Sequence, residues 1–514
     1  MRNQFFLSLI SFVVIHLFLF NFNYAEWGDS YRILRASEYI RNYSYPADEK
    51  RPPLFSVILA ARPVGADQIL WGRVVMLLLS VVAFVVFYKL AESYLKSRYE
   101  MYLAVILFIL NPVYLYWSIR IYADVPFSIL CMLALLLYTK WRENLNAIKV
   151  LVLSLIAALS ILTRFEGFIL FAALGAAILF NGRFQVKIFY FKRLNFKQFL
   201  LFLFGSLLLI TPYLLYNNPF DSKYLEEPAR RAYDLKMILI FIISLLFVLG
   251  VNVAVYFFVR SRDTLLNFLK ENVHISVFLI LELLLILVWP AAIPRLFVPL
   301  IPILIILMSK FINDYFMSSE SAPKILYFGV TVLLLIAHLV GQSYYKLQFL
   351  VSMKYLLIFI LLIQAVLSLA IFFKNKKLLY LCLVAGLFLW SLGVLYVHKD
   401  IYKSIKEATI YAADNFEGNI GYNDVSSVSD WYLNYYNSRK NNTGIYMYYS
   451  KKADLNYDNL TGKKLDYLLM TNEHNTDTTL DIEQRPYLEQ LKEFKYVINS
   501  KVFWTKVIKI RQYE

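Results

Sequence analysis

The sequence predicts a mainly α-helical, polytopic membrane bundle that carries a small α/β domain at its C-terminal end. Of the 514 residues, 60% are hydrophobic, and the mean hydropathy is +0.56. A soluble protein of this length cannot bury so much apolar surface. Apolar stretches recur roughly thirteen times before residue 398, after which the composition turns polar. We therefore expect a transmembrane domain over residues 1–397 and a soluble domain over residues 398–514.

The apolar stretches are assigned to helices by their length. About 20 apolar residues span a bilayer, and shorter stretches tilt, kink or lie inside the bundle. The predicted helices lie near residues 5–20, 71–91, 101–118, 124–139, 150–163, 166–181, 199–216, 237–259, 274–290, 296–309, 325–341, 355–373 and 378–397.

The charge distribution predicts the orientation in the membrane. There are 52 Lys and Arg against 36 Asp and Glu, a formal net charge of +16, and residues 398–514 hold 16 of each kind. The excess therefore lies in short loops between helices, where Lys and Arg mark the cytoplasmic side and contact anionic membrane lipids. This places the N-terminus inside and residues 398–514 outside the cytoplasm of a multi-pass cell-membrane protein. No polar surface interleaves basic and aromatic residues, which excludes nucleic acid as a partner.

Two long segments fall on the predicted outer side. Residues 23–69 contain I-L-R-A-S-E-Y-I-R-N, whose apolar positions fit a short helix lying in the membrane interface. Residues 217–236 are polar and interrupted by proline, which predicts a loop over a pocket.

The polar C-terminal part alternates helix and strand patterns. Both cysteines, Cys131 and Cys382, fall in apolar stretches, so neither a disulfide framework nor a thiolate metal cluster is expected in this part. The predicted helices are residues 401–416 and 426–436, and the predicted strands are residues 444–449, 465–470 and 496–510, the last a hairpin about Asn499 and Ser500.

Five short motifs carry charged side chains at the edges of apolar stretches, all on the predicted outer face. They are E-W-G-D-S-Y-R, R-P-P-L, R-I-Y-A-D-V-P, L-T-R-F-E-G and A-A-I-P-R-L-F-V-P. Ionisable groups at membrane helix ends are costly unless they serve a site or a ligand. The candidate site residues are Asp29, Arg32, Arg51, Arg120, Asp124, Arg164, Glu166 and Arg295.

Each motif also has a structural interpretation. Asp29 is able to deprotonate an incoming hydroxyl, but an Asp also starts a helix well. The planar fork of Arg51 grips a phosphate, and that phosphate belongs either to a substrate or to a membrane lipid. Asp124 at a helix start gains from the helix dipole, Arg164 and Glu166 form a surface ion pair, and Arg295 snorkels to the headgroups. Their shared sidedness favours a common functional site.

One further carboxylate, Glu282, lies in the middle of an apolar helix, in L-I-L-E-L-L-L. Intramembrane carboxylates are functional by default. This one is about half a bilayer away from the five motifs, so a structural hydrogen-bonding role is favoured.

In their order and topology, the motifs D-S-Y-R, R-P-P-L, Y-A-D-V-P, T-R-F-E-G and I-P-R-L-F-V-P resemble those of the GT-C glycosyltransferases. The resemblance covers roughly residues 1–310 and is nearest to the branch of the dolichyl-phosphate-mannose–protein mannosyltransferases and the lipid A aminoarabinose transferase. It implies a membrane bundle with its site at the outer face and a polyprenyl-phosphate sugar donor. The implied reaction transfers a sugar, a single hexose such as mannose, with inversion to an acceptor hydroxyl of a glycan, lipid or protein.

The resemblance also implies residue roles. Asp29 and Asp124 are the catalytic candidates. Asp29 matches the acidic residue of the first loop, which acts as base or lies beside a divalent metal ion, and Asp124 matches the second acidic residue, which orients the sugar or helps to hold that ion. Arg51 and Arg295 match positions that approach the donor phosphate. The remaining substrate-binding candidates are Arg32, Arg120, Arg164 and Glu166.

This chain departs from the family pattern at three points. Ser30 follows Asp29 where the family usually has a second acid. Lys50 stands where the aminoarabinose transferases have Glu, which disfavours that sugar. The W-W-D-Y-G motif of oligosaccharyltransferases is absent from the sequence, which disfavours transfer of a whole oligosaccharide.

A polytopic transporter or a polysaccharide or lipid flippase is the alternative function. It accounts for the many helices but not for the long first outer loop or the large C-terminal domain. Transporters also place key ionisable groups near the midplane and contain internal repeats, which this sequence lacks. An envelope scaffold that presents its C-terminal domain is a third interpretation, and it leaves the Arg and Asp pattern unexplained.

Overall fold

The structure is a computed structural model of the chain. It describes residues 2–180, 195–216, 262–289, 294–317, 375–436, 444–446, 456–473, 485–498 and 501–511, with isolated positions between 329 and 373. The predicted loop 217–236 and the predicted helix 237–259 lie outside the described residues, as do most of the predicted helices 325–341 and 355–373.

Helices account for most of the described chain before residue 398. Two short 3-10 helices, Arg142–Asn144 and Pro294–Phe297, lie among them. The α-helices are α1 (Arg2–Phe18), α2 (Gly28–Arg41), α3 (Leu54–Ala60), α4 (Gln68–Tyr94), α5 (Arg98–Ile109), α6 (Pro112–Ser118), α7 (Asp124–Trp141), α8 (Ala147–Thr163), α9 (Gly167–Leu179), α10 (Phe196–Tyr216), α11 (Arg262–Glu271), α12 (Val273–Val288), α13 (Ile301–Met317) and α14 (Lys376–His398).

Several of these helices are long and apolar enough to cross a membrane. Within the described residues there are four, and the number rises to six if each of two bent helix pairs forms one span. The chain is therefore a multi-pass membrane protein, as the sequence predicted. The predicted total of thirteen helices is not established.

The segment predicted as one helix over residues 101–118 is broken in two. Helices α5 and α6 meet at an angle of 54°. The break lies at Asn111 and Pro112, where the Asn111 side chain accepts hydrogen bonds from the backbone N–H groups of Val113 and Tyr114. Proline at the first helical position and asparagine at the N-cap both start a new helix, so the sequence carried a signal for this break.

The structure divides into two compact units, each formed from separate parts of the chain. The first unit contains Met1–Leu17, Lys50–Phe55 and Met76–Leu395, and the second contains Phe18–Glu49, Ser56–Val75 and Tyr396–Glu514. The predicted division into domains 1–397 and 398–514 stays a prediction, because compactness alone does not delimit a transmembrane domain.

The second unit contains a mixed five-stranded sheet. Its strand order is β2-β1-β3-β5-β4, with β1 parallel to both β2 and β3, and β5 antiparallel to β3 and β4. The sequence analysis missed β1, which has only three residues. The elements after residue 398 are α15 (Lys403–Asn415), β1 (Ile420–Tyr422), α16 (Val428–Asn434), β2 (Gly444–Tyr446), α17 (Tyr457–Gly462), β3 (Tyr467–Thr471), β4 (Leu488–Ile498) and β5 (Lys501–Ile510).

Alternation along the central strands builds an apolar core on each face of this sheet. Leu468 and Ile508 are paired and lie in one buried cluster, while Leu469 and Val507, the next pair, lie in another. Successive side chains of a strand point to opposite faces, so a sheet buried on both sides is apolar at consecutive positions. The sheet and its neighbouring helices form the small α/β arrangement that the sequence predicted.

The short helix predicted in the first outer loop is present as α2, but its apolar face is covered by protein. Ile33, Leu34 and Ala36 are buried, and α2 packs on α16. The Tyr31 ring lies 6.2 Å from that of Trp431. The apolar face of α2 therefore packs within the second unit, and the position of this helix in the membrane interface stays a prediction.

Candidate active site

The turn between α8 and α9 positions two charged side chains of the site. Arg164 and Glu166 form an ion pair across this turn, and the Arg164 Nε also donates to Glu166 Oε2 at 3.2 Å. The next residue, Gly167, lies so close to α8 that a Cβ atom would come within 2.4 Å of backbone atoms of Ser160 and Ile161. The motif T-R-F-E-G therefore combines a charged pair with the glycine that permits its tight turn.

Asp124, the first residue of α7, holds the arginine of this turn. Arg164 Nη1 donates to Asp124 Oδ1 at 2.7 Å, and Arg295 Nε lies 3.9 Å from the same oxygen. Arg295 Nη1 also donates to the Tyr122 hydroxyl, and its guanidinium lies 4.6 Å from the centre of the Tyr122 ring. Three of the five sequence motifs thus meet in one cluster within the first unit.

The charged side chains of the cluster are all largely buried. Asp124 is 2% exposed and Glu166 is 11% exposed, compared with 13% for Arg164 and 18% for Arg295. Burial raises the pKa of the Glu166 carboxyl, but the neighbouring Arg164 guanidinium outweighs burial and holds that pKa below its ordinary value. Both carboxylates and Arg164 line the cavity that adjoins the cluster.

A cavity of about 270 Å³ adjoins this cluster. Asp124, Arg164 and Glu166 line one part of it, and Glu282 of α12 contributes a fourth charged residue. Aromatic and aliphatic side chains form the remaining wall, which includes Phe127, Phe165, Phe168, Ile169, Leu285 and Trp289. An apolar cavity with a few convergent polar groups is typical of a small-molecule site.

Two predicted site residues of the first unit, Arg51 and Arg120, are not among the described residues that line this cavity. Arg120 is completely buried, and its guanidinium lies 4.7 Å from the centre of the Tyr116 ring. Arg51 is half-buried and precedes Pro52 and Pro53, which lead into α3. Their roles as substrate-binding residues stay predictions.

Asp29 and Arg32 belong to the second unit, on α2. Asp29 lies in the first turn of this helix, but the N-cap residue is Trp27, so Asp29 does not have the capping position that its structural interpretation supposes. Arg32 Nε donates to Ser427 Oγ at 3.2 Å. Gly28 fixes the start of α2, because a Cβ atom there would lie 2.2 Å from the Ser426 carbonyl oxygen. The catalytic role of Asp29 stays a prediction.

Sequence analysis missed Glu26, which anchors the loop that leads to Asp29. Its side chain is fully buried and accepts a hydrogen bond from Arg73 Nε at 2.9 Å. Arg73 also donates to the Asn21 side chain and the Asn23 carbonyl oxygen, at 3.1 and 2.7 Å. The sequence signal for this contact was Arg73 near the start of an apolar helix, but that signal does not identify Glu26 as its partner.

The predicted divalent metal ion does not fit the described residues. Asp124 Oδ1 already contacts two arginines. The described part of the chain contains no group of three or more His, Cys, Asp or Glu arranged to hold a metal ion. We therefore derive no catalytic step through a metal.

At the level of sequence, no family model and no curated protein matches this chain. At the level of structure, GT-C glycosyltransferases superpose on most of its length. The chain therefore has the GT-C fold, which confirms the resemblance seen in the motifs.

Among these structures, ArnT from Cupriavidus metallidurans bound to undecaprenyl phosphate matches with a TM-score of 0.60 and 12% identity, over 97% of each chain. AglB, the oligosaccharyltransferase of Archaeoglobus fulgidus in complex with an inhibitory peptide and dolichol-phosphate, matches with a TM-score of 0.52 and 11% identity, over 91% of this chain and 69% of AglB. The mycobacterial arabinofuranosyltransferase AftD matches with a TM-score of 0.52 and 12% identity, over all of this chain and 40% of AftD. At such identities the likeness concerns the fold.

Proposed function

We propose that this protein is a membrane glycosyltransferase that moves a single hexose, such as mannose, from a polyprenyl phosphate to an acceptor hydroxyl, with inversion. The observation that carries the proposal is the cluster of Asp124, Arg164 and Arg295 beside an apolar cavity. The GT-C fold supports it, because the solved GT-C structures include complexes with undecaprenyl phosphate and dolichol-phosphate. A transporter or flippase is not favoured by this fold.

The reaction in this proposal is one displacement. The bond between the anomeric carbon and the donor phosphate oxygen breaks as the acceptor oxygen bonds to the same carbon from the opposite side. The electron pair of the broken bond stays on the phosphate, whose growing charge is stabilised by Arg164, Arg295 and Arg51. Asp29 takes the proton of the acceptor hydroxyl.

Asp124 acts in this proposal as a positioning residue. Its buried oxygen contacts both arginines, so it fixes their guanidinium groups and prevents their mutual repulsion from separating them. Two partly exposed arginines held by one buried carboxylate form a site suited to a phosphate. The remaining substrate-binding residues of the proposal are Arg32, Arg120 and Glu166.

The acceptor is a hydroxyl of a glycan, lipid or protein on the extracytoplasmic face, where we place residues 398–514 together with the first loop. Asp29 lies in that loop, so the acceptor meets its base in the same compact unit as the α/β sheet. This arrangement suits a domain that presents the acceptor.

The test is consumption of donor by the purified, full-length protein in liposomes. Undecaprenyl phosphates that carry radiolabelled mannose, glucose or galactose are supplied with a membrane extract as the source of acceptors. We expect label from one of them to move into a chloroform-insoluble or altered lipid product, and this movement to be lost in Arg164→Ala. Label that stays on the prenyl phosphate in every case, or that crosses the bilayer without transfer, would overturn the proposal.

A further inference from the structure

Glu282 is a carboxylic acid that the proposed mechanism does not use. It lies in the apolar helix α12, retains 2% of its exposure, and lines the cavity beside Arg164 and Glu166. Its Oε2 atom is buried without a hydrogen-bond partner among the described residues. A buried polar atom without a partner costs free energy, so the structural hydrogen bond favoured from the sequence does not account for this residue.

The face of α12 that carries Glu282 is the face that lines the cavity. Glu282, Leu285, Ile286 and Trp289 are spaced i, i+3, i+4 and i+7, and all four line it. Seven residues correspond to about 10 Å of helix at ~1.5 Å per residue. The cavity therefore extends along α12 from Trp289 to the Glu282 carboxyl group, about two helical turns toward the start of the helix.

Much of the remaining lining is aromatic. Phe127, Phe165 and Phe168 line the cavity in addition to Trp289. The faces of such rings carry partial negative charge and attract the weakly positive C–H groups of a sugar ring. A prenyl chain would match the same rings, but it has no group that satisfies a carboxyl oxygen.

The size of the cavity limits what it holds. Its volume of about 270 Å³ lies just below the ~300–1,000 Å³ typical of small-molecule pockets. This space suits one sugar ring and excludes an oligosaccharide. A ring in the cavity is also adjacent to Arg164, where the proposed function places the donor phosphate.

We infer that the cavity holds the sugar ring of the donor, with Glu282 hydrogen-bonded to one ring hydroxyl and the aromatic wall against its C–H face. The inference rests on the proposed function for the identity of the donor. In this inference, Glu282 discriminates between sugars that place a hydroxyl within hydrogen-bonding distance of its carboxyl group and sugars that do not.

The experiment measures binding rather than transfer. Equilibrium dissociation constants are determined in detergent for undecaprenyl phosphate alone and for the same lipid bearing mannose, glucose or galactose. For the sugar that binds best, the singly deoxygenated analogues are measured as well. The variants are Glu282→Leu, Glu282→Gln and, as a matched change at an exposed carboxylate outside the cavity, Glu143→Leu.

We expect the parental protein to bind one glycosylated lipid more tightly than the bare lipid phosphate. Glu282→Leu should reduce that preference up to about tenfold, since a hydrogen bond to a neutral carboxylic acid contributes about 0.5–1.5 kcal/mol and ~1.4 kcal/mol is tenfold. Glu282→Gln should recover most of it, and Glu143→Leu should leave it unchanged. One deoxy analogue should bind parental protein and Glu282→Leu equally well, which identifies the hydroxyl.

Three results would overturn the inference. In the first, no glycosylated lipid binds better than undecaprenyl phosphate. In the second, Glu282→Leu weakens the bare lipid phosphate as much as the glycosylated one, which places the prenyl chain in the cavity. In the third, Glu282→Leu changes the dissociation constants of all the deoxy analogues by the same factor. If Glu282→Leu does not fold, the deoxy series on parental protein and Glu282→Gln gives the same decision. Transfer of label by a protein that shows no Glu282 effect would refute this inference and leave the proposed function intact.

Discussion

At the scale of single residues, the two acids proposed for the reaction have different surroundings. Asp124 is buried and contacts two arginines, which suits positioning and leaves it poorly placed to take a proton from an acceptor. Asp29 is half-buried in the first turn of α2, on a loop anchored by Glu26 and Arg73. We therefore propose Asp29 as the base, on a separate chain segment from the arginines proposed to bind the phosphate.

Asp29→Asn tests this assignment because it keeps the size of the side chain and removes its basicity. We expect sugar transfer to fall about a hundredfold or more, with membrane yield unchanged, because the loss of a helix-dipole interaction costs only ~0.3–1 kcal/mol. The measurement is the rate of product formation at saturating donor. Asp48→Asn is the matched control, since Asp48 lies in the same loop and pairs with Arg35 at 2.6 Å. Parental rates in Asp29→Asn would move the base to Asp124 or Glu166.

Arg164 should contribute to the stability of the protein as well as to sugar transfer. Arg164→Ala leaves the buried Asp124 and Glu166 carboxylates without their shared cation, and breaking a buried ion pair costs about 3–5 kcal/mol. We expect a clearly lower melting temperature in detergent together with loss of transfer.

Arg51→Ala removes a half-buried side chain that precedes α3. It should weaken donor binding by about 1.5–3 kcal/mol, and Arg51→Lys should restore part of the affinity. Equal melting temperatures for Arg164→Ala and the parental protein would contradict the ion-pair geometry.

The sequence identified the charged residues of this cluster but not their pairing. Apolar stretches end where charges begin, so Asp124, Arg164 and Arg295 could be assigned to one side of the membrane. Which oxygen meets which guanidinium depends on how α7, α8 and the 3-10 helix at Pro294–Phe297 pack, and no local pattern encodes that. Nothing in the sequence indicated that Glu282 lines the cavity, because α12 is apolar on every side and no amphipathic stripe marks its cavity-lining face.

At the scale of secondary-structure elements, boundaries were predicted well where a charged motif interrupts the apolar sequence. α7 begins at Asp124 and α8 ends at Thr163, as predicted. The starts of α5 and α8 were predicted three residues late, because their capping residues Ser97 and Asn146 lie in the polar sequence before the apolar stretch. The short strand β1 was missed because three residues are too few to show alternation. α2 was predicted as a helix, but the surface that covers it was not, since its partner α16 is about 400 residues away.

The close packing of α9 on α8 makes a testable prediction about Gly167. A Cβ atom at this position would lie 2.4 Å from backbone atoms of α8, which have no freedom to move aside. Gly167→Ala should therefore displace the start of α9, lower the melting temperature and weaken transfer, because Arg164 and Glu166 lie on the same turn. Gly175→Ala on the same helix is the control. There the nearest atom is a ring carbon of Phe199 at 3.3 Å, and alanine also favours the helix. If both variants melt alike, the tight turn is not required.

At the scale of the whole molecule, the second unit restricts how the chain threads the membrane. Tyr24 N donates to the Lys399 carbonyl oxygen at 3.0 Å, and the Tyr436 hydroxyl donates to Asp67 Oδ2 at 2.6 Å. Segments joined by such bonds lie on the same side of a bilayer. The chain must therefore cross the membrane an even number of times between residue 75 and residue 396, whatever the exact number of helices.

Substituted cysteines test this constraint together with the predicted orientation. The two native cysteines are buried, so single labels introduced by Tyr43→Cys, Phe189→Cys and Glu514→Cys report their own positions to a membrane-impermeant maleimide. Tyr43 is fully exposed within the first loop. Because Lys and Arg concentrate in the loops on the other side, we expect positions 43 and 514 to be labelled from outside intact cells, and position 189 only after permeabilisation.

The labelling pattern tests two properties separately. One is whether residues 43 and 514 lie on the same side of the membrane, and the other is whether that side is the outer one. Labelling of 43 and 514 from opposite sides would contradict the hydrogen bonds that join the first loop to the C-terminal domain. Labelling of both from the cytoplasm would preserve those bonds and invert the protein. Asp29 would then face the cytoplasm, so the proposed extracytoplasmic acceptor could not reach its base, and the donor sugar would have to be used on the opposite side of the membrane.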